Sequence, residues 1–298
     1  MENLNDWKKA GEIAAETRDY GKSLLEKGFS EKLSLLDVTE KIEARIFQLK
    51  GKPAFPVQIS LNNTAAHYNA LVDDKTIIKD DVVKLDIGVH VNGAIGDTAV
   101  TVCLNKEHDE LVKASEKALE NALKIIKPGL KLWKIGEEIE NTILSLGFKP
   151  VKNLTGHSIE LYNEHAGLTI PNFNNHDDTK LKENEVIAIE PFATTGVGFI
   201  DEKKNSEIYK VISNHQTRDA ISRSILMFMN ENYNGLPFSK RWLVKKFKPF
   251  EVNFALNNLI REGIVMEYKH LVEKSNGTVS QSEHSVLVKD KPIILTKR

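Results

Sequence analysis

Apolar residues fall at positions 35, 38, 42, 46 and 49, and again at 132, 135, 139, 143 and 146. Steps of three and four place each set on one face of a helix. The two stretches also match along their length. Leu35-Leu36-Asp37-Val38-Thr39-Glu40-Lys41-Ile42-Glu43 aligns with Leu132-Trp133-Lys134-Ile135-Gly136-Glu137-Glu138-Ile139-Glu140 at an offset of 97. An earlier helical pattern repeats as well: Lys9–Glu16 shares five of eight residues with Lys113–Glu120, at an offset of 104. Downstream, the Val- and Ile-rich runs Asp81–Asp86 and Glu185–Glu190 match at 104 again and read as strands. Each half predicts helix, helix, strand, and the strand ends on a carboxylate, Asp86 or Glu190. The change of offset predicts a shorter helix-to-helix loop in the second half. Two units are too few for a solenoid, so a duplicated unit closing with pseudo-two-fold symmetry is expected, with Asp86 and Glu190 near its axis.

Residues 206–272 interrupt this pattern. Arg218–Asn232 is amphipathic, with Ile221, Ile225, Phe228 and Met229 on one face. Ser239 suits the cap of a short helix reaching Phe247, and Phe250–Arg261 predicts a third helix stopped by Glu262-Gly263. Ile264-Val265-Met266 reads as a strand. The outline is that of a winged helix, and Lys240, Arg241, Lys245, Lys246 and Lys248 invite a nucleic-acid reading. The formal charge of −1, from 41 basic and 42 acidic residues, gives little surplus for binding phosphate, so a solvated helix face is preferred. Val279–Val288 then predicts one strand returning to the main sheet.

Composition narrows the class. With 41% hydrophobic and 28% charged residues, the 298-residue chain is globular. The single cysteine, Cys103, excludes an internal disulfide and fits a reducing compartment. No apolar run approaches the ~18 residues of a membrane span. Met1-Glu2-Asn3-Leu4-Asn5-Asp6 has no secretory character. A cytoplasmic protein is expected.

The densest chemical signal lies in Val82–Val102. Asn92-Gly93 between two strands marks a two-residue hairpin turn. With those two residues as the turn, Asp86 faces Ala99, and Asp97 faces Gly88. Asp86 and Asp97 then share a face as diagonal neighbours, with Cα atoms ~7–8 Å apart. Gly88 is expected to leave open space opposite Asp97. Two carboxylates projecting into one space repel each other, and a cation is the simplest remedy. Glu190 ends the matching strand. Glu283 sits inside the expected last strand, where a carboxylate needs a partner, and His157 follows Gly156. Four carboxylates and an imidazole form a hard, oxygen-rich donor set suited to two divalent ions ~3.5–4 Å apart.

These residues and their surrounding words resemble the methionine aminopeptidases and their pita-bread-fold relatives. The matching words are Phe55-Pro56, Ala65-Ala66-His67-Tyr68-Asn69, Lys84-Leu85-Asp86-Ile87-Gly88, Gly96-Asp97-Thr98-Ala99, Gly156-His157-Ser158-Ile159, His165-Ala166-Gly167, Ile189-Glu190-Pro191-Phe192 and Ser282-Glu283-His284. The insertion between Glu190 and Glu283 resembles the helical subdomain of the type II enzymes. With no long polar or zinc-binding extension at its N-terminus, the chain is similar to minimal archaeal members.

The resemblance implies an α+β pita-bread fold around a mainly antiparallel sheet. Residues 1–205 and 273–298 would form the catalytic domain, and 206–272 the inserted winged-helix-like subdomain. It implies removal of initiator methionine from the N-termini of new polypeptides, with a small second residue preferred. The metal ligands would be Asp86, Asp97, His157, Glu190 and Glu283, holding two ions of Co, Mn, Fe or Zn. Asp97 and Glu283 would bridge them, and Glu190 would also move the proton. His67 and His165 would contact the scissile peptide, and Phe55 and Phe192 would line the methionine pocket. Glu164 departs from the pattern, standing where relatives carry an apolar pocket residue. A monomer is expected, acting near the ribosome, with no membrane association and no sequence-specific nucleic acid. A proline-bond peptidase of the same fold, or a non-catalytic relative that binds nucleic acid or the ribosome, is the alternative.

Overall fold

The computed structural model describes residues 4–104 and 106–298. The residues Met1-Glu2-Asn3, on which part of the N-terminal reading rested, lie outside that range. The first half runs α1 (Leu4–Glu31), α2 (Leu35–Gln48), β1 (Lys52–Pro53), β2 (Gln58–Leu61), β3 (Thr64–Ala66), β4 (Val82–Val91) and β5 (Ala94–Cys103). The second half opens with α3 (Asp109–Ile125) and α4 (Leu132–Ser145), then β6 (Lys149–Pro150), β7 (Thr155–Ile159), β8 (Thr169–Pro171), β9 (Val186–Ile189) and β10 (Phe192–Thr194). A third region follows: β11 (Ile200–Val211), α5 (Ala220–Tyr233), β12 (Phe238–Ser239), α6 (Lys240–Val244), α7 (Pro249–Arg261) and β13 (Val265–Glu273). The chain closes with β14 (Val279–Gln281), β15 (His284–Leu287) and β16 (Ile293–Ile294).

The two halves are built alike, as an α+β pita-bread fold requires. Every strand pairing among the described residues is antiparallel. In the first half, α1 and α2 bury Ile13, Leu25, Val38, Ile42 and Ile46 against Leu85, Ile87 and Val89 of β4. In the second, α3 and α4 bury Leu111, Ala118, Leu132, Ile135 and Ile139 against Ile187, Ile189 and Val286. A Ser34–Asp37 capping box starts α2. The offset change between the repeats has a different origin from the one expected. α1 has 28 residues and α3 only 17, while the second helix-to-helix connection is the longer one, 126–131 against 32–34. Helix length, not loop length, shifts the register.

Two strand readings are corrected. β4 continues past Asp86 to Val91, so that carboxylate lies within a strand rather than at its end. The segment 279–288 is not one strand. β14 pairs with β10 and β15 with β9, and the chain changes sheet at Ser282-Glu283. Glu283 therefore occupies a break in the ladders, where its N–H donates to Ala99 O (3.0 Å). This break is the seam between the halves. Asp97 N–H donates to Ser285 Oγ, whose hydroxyl donates back to Asp97 O, each at 2.8 Å. Thr98 Oγ1 donates to Glu283 O at 2.9 Å.

The chain's last residues lock against its first helix. A Cβ on Gly11 would stand 2.2 Å from Leu295 O, so only glycine allows this approach. Arg18 donates to Thr98 Oγ1 (2.8 Å) and to Thr296 O (3.1 Å).

The third region has its own core, made of Ile225, Met229, Phe238, Leu243, Val252, Leu256, Leu259 and Val265. Asp219 caps α5 through Ser222 N (2.7 Å), Ser239 caps α6 through Arg241 N (3.1 Å), and Gly263 (φ 68°) follows α7. Its sheet, ordered β12-β11-β13-β3, reaches back into the first half. Most of the basic cluster is engaged: Lys240 with Glu207 (2.6 Å), Lys245 with Glu40 (2.7 Å), and Arg241, only 2% exposed, with both oxygens of Glu43 (2.7 and 2.8 Å). No helix among the described residues is long and apolar enough to cross a membrane.

The Arg241–Glu43 pair spans 198 residues and joins α6 to α2. Removing one partner of a buried pair strands the other charge, at a cost of about 3–5 kcal/mol. Arg241→Ala should lower the urea unfolding free energy by that order. A loss under about 1 kcal/mol would show that the bridge contributes little.

Candidate metal centre

The Asn92-Gly93 turn sets the register of β4 on β5 as the sequence predicts: Asp86 faces Ala99, and Gly88 faces Asp97. The two carboxylates project on one face. Opposite them, His284 of β15 pairs with Ile189 of β9, which sets Glu283 and Glu190 beside one another at the ends of that ladder. Each half thus supplies two carboxylates from two antiparallel strands. His157 enters from β7, where it pairs with Ala188 of β9.

All nine sequence-nominated residues line one cavity of about 220 Å³: Phe55, His67, Asp86, Asp97, His157, His165, Glu190, Phe192 and Glu283. At its centre, donor atoms of Asp97, His157 and Glu283 lie within 4.8 Å of one another. His157 Nε2 stands 3.7 Å from Asp97 Oδ2 and 3.6 Å from Glu190 Oε1. Asp86 and Glu190 flank this tight group of three. The space opposite Asp97 is not open, as the glycine had suggested. A Cβ on Gly88 would meet the Phe55 ring at 2.2 Å, so the glycine is where the phenyl ring packs into the cavity wall.

The electrostatics are those of an uncompensated acidic cluster. Burial raises Asp86 to about 7, against the opposing effects of the Gln281 hydrogen bond and the His165 charge. Burial, and then the neighbouring Asp86 and Glu190 charges, push Asp97 well up. Glu190 rises through burial and Asp86, and Glu283 through burial, Asp97 and Glu190. Burial lowers His157 to about 3, so its ring is neutral and free to donate a lone pair. Asp86 Oδ1 and Asp97 Oδ1 are buried with no hydrogen-bond partner. Buried oxygens without donors, carboxylates that repel, and a neutral imidazole form a donor set that a divalent cation fits.

The histidines outside this cluster are held differently. His67 adopts a left-handed backbone (φ 66°). Its N–H donates to Gln58 Oε1 (2.7 Å), and its Nδ1 lies 3.0 Å from Lys269 O. Burial brings it down to about 4. Such a strained residue must be fixed by its surroundings. The His165 ring crosses that of His157 at 4.2 Å between centroids, and its side chain is 52% exposed.

Sequence reading missed four residues. Gln281 donates to Glu190 Oε2 at 3.4 Å and also hydrogen-bonds Asp86. Its position two residues before Glu283 was the available clue. Gln58 anchors His67. Lys210 (2.6 Å) and Tyr268 (3.3 Å) donate to Glu164 Oε1, and no local pattern links these three. Burial alone would raise Glu164, but His165 and Lys210 outweigh it and hold it at about 2.

A model of metallopeptidase family M24 matches residues 5–289. A methionine aminopeptidase of Thermococcus onnurineus (strain NA1) is 44% identical over 290 residues, 97% of each chain. Among solved structures, the methionine aminopeptidase of Thermotoga maritima superposes with a TM-score of 0.70 at 20% identity, covering 100% of this chain and 98% of the other. A thermophilic Arx1 superposes at 0.83 with 14% identity, covering 99% and 91%.

Because Asp97 is pushed up on folding, the folded state keeps a proton that the unfolded chain releases near the ordinary value of 3.8. Its stabilising contribution is therefore lost as pH rises from there toward the raised value. With a chelator present, Asp97→Asn should be more stable than the parent, and the gap should widen between about pH 4 and neutrality. Added divalent cation should narrow or reverse it. Urea midpoints across pH measure this, and a gap that closes as pH rises would contradict it.

Proposed function

Since the chain belongs to metallopeptidase family M24, we propose that the cavity at the seam of its two halves is the catalytic centre, formed by the residues that meet there. The chain is a methionyl aminopeptidase of archaeal type, a hydrolase that removes the initiator methionine from polypeptide N-termini. Asp86, Asp97, His157, Glu190 and Glu283 would hold two divalent ions. When bound, the metal supplies Lewis acidity and a water acidic enough to attack a peptide carbonyl at neutral pH. Mn, Fe, Co and Zn all suit carboxylates with one imidazole, so availability selects among them.

The remaining work falls to the chain's own side chains. Glu190, buried and raised in pKa, takes the proton of the attacking water and returns it to the departing nitrogen. His67, held by Gln58 and the Lys269 carbonyl, fixes the scissile peptide by hydrogen bonding. His165 donates to the oxygen on which negative charge develops. Phe55 and Phe192, with Leu154, Ile208 and Leu271, supply apolar walls for the methionine side chain. A cavity of about 220 Å³ has room for that side chain.

Residues 206–272 act as an inserted structural unit that shapes the pocket, since Ile208, Pro237, Tyr268 and Leu271 line it. Lys240, Arg241 and Lys245 are engaged with Glu207, Glu43 and Glu40, which argues against nucleic-acid recognition. The enzyme would work as a monomer in the cytoplasm, near the ribosome, where new N-termini emerge.

The observation that carries this reading is the convergence of Asp86, Asp97, Glu190 and Glu283 with three histidines on one cavity. Methionine release from a Met-Ala-Ser peptide with added Mn or Co tests it. His157→Ala should lose metal and activity together. His165→Ala should keep metal content and thermal stability while turnover falls on the order of 10²–10³. If His165→Ala loses metal as readily as His157→Ala, or keeps full turnover, its assigned role is wrong.

A further inference from the structure

Glu164 is 2% exposed, lies in the cavity wall and sits next to His165 in the chain. A carboxylate buried beside an apolar pocket is costly unless it is compensated. Its compensation comes from far away in sequence. Lys210 of β11 reaches Oε1 at 2.6 Å and Tyr268 of β13 at 3.3 Å. Lys210 faces Met266 across the β11–β13 ladder, two residues from Tyr268, so both side chains leave the same face. The same Oε1 stands 3.7 Å from His165 Nδ1, whereas Oε2 is buried with no partner. His165 is otherwise loosely held: its side chain is 52% exposed, and its ring meets that of His157.

We propose that Glu164, clamped by Lys210 and Tyr268, is a positioning residue for His165: its Oε1, 3.7 Å from Nδ1, attracts that edge of the ring and turns the opposite edge toward the substrate. The proposal rests on the role assigned to His165 above. With the Nδ1 edge held toward the carboxylate, the opposite edge keeps its aim on the substrate oxygen as negative charge grows there, so the hydrogen bond to it strengthens without the ring having to reorient. A carboxylate behind an imidazole serves the same purpose in hydrolases of other folds. Lys210 and Tyr268 keep the carboxylate from rotating away, so β11 and β13 act on the chemistry without touching the substrate's reacting atoms through this unit.

The test is a double-mutant cycle on the metal-loaded full chain, read as kcat and KM for a Met-Ala-Ser peptide. Glu164→Gln preserves size and removes the charge. It should lower kcat about 10- to 100-fold, the scale of a misoriented group, and leave KM within about twofold. In a His165→Ala background the same change should cost nothing further, because there is no ring left to position. Lys210→Met gives a second entry to the cycle should Glu164→Gln fail to fold. It should cost less than Glu164→Gln and be equally silent without His165. If Glu164→Gln keeps full turnover while His165→Ala is impaired, the inference fails and the role of His165 stands. If His165→Ala itself keeps full turnover, the role of His165 fails and the inference with it. A loss that appears in KM, or that adds in full to that of His165→Ala, also overturns it, since Glu164 would then act without the ring.

Discussion

Four carboxylates held together out of water are the constraint around which the rest of this molecule is arranged. Burial raises the pKa of Asp86, Asp97, Glu190 and Glu283, neighbouring carboxylates add to the rise at the last three, and hydrophobic burial of the two helical layers must outweigh this cost. The fold meets this demand with backbone and hydroxyl hydrogen bonds at the seam. Ser285 and Asp97 exchange hydrogen bonds, Thr98 binds Glu283 O, and Thr101 and Gln281 exchange hydrogen bonds in the same manner. These contacts fix the strands that bear the charges while leaving carboxylate oxygens without donors. The seam is rigid where it is neutral and unsatisfied where a cation is to be received.

Duplication explains why the charges come in pairs. Each half ends in an antiparallel pair of strands that delivers two carboxylates to the common axis. In the first half the pair is a tight hairpin. In the second it is split by about ninety residues of chain, β10 through β14, between β9 and β15. The insertion is therefore placed where the first half has only Asn92-Gly93, and it extends from the rim of the cavity.

Much of this was legible in the chain itself. Asn92-Gly93 between two strands gave the hairpin register, because a two-residue turn leaves no freedom in pairing. Helical periodicity gave α2 and α4, and the internal match gave the symmetry. Local reading failed where tertiary pairing decides. The residues 279–288 are apolar enough for one strand, yet they pair with two different sheets and break at Glu283. Gly88 looked like empty space because its occupant, Phe55, comes from another strand connection. Lys210, Tyr268 and Glu164 could not be associated, since the 46 residues between Glu164 and Lys210, and the 104 to Tyr268, carry no periodic signal linking them.

The lock between α1 and residues 295–296 has a consequence in time. It joins stretches nearly the full chain apart, and loop closure of that length must precede the contacts that reward it. During synthesis α1 is made well before Glu283 and the β15 edge. A chain translated as far as β10 already holds four of the five proposed donors and still cannot close the centre. Assembly of the centre is therefore switched on only once Glu283 and β15 have been made.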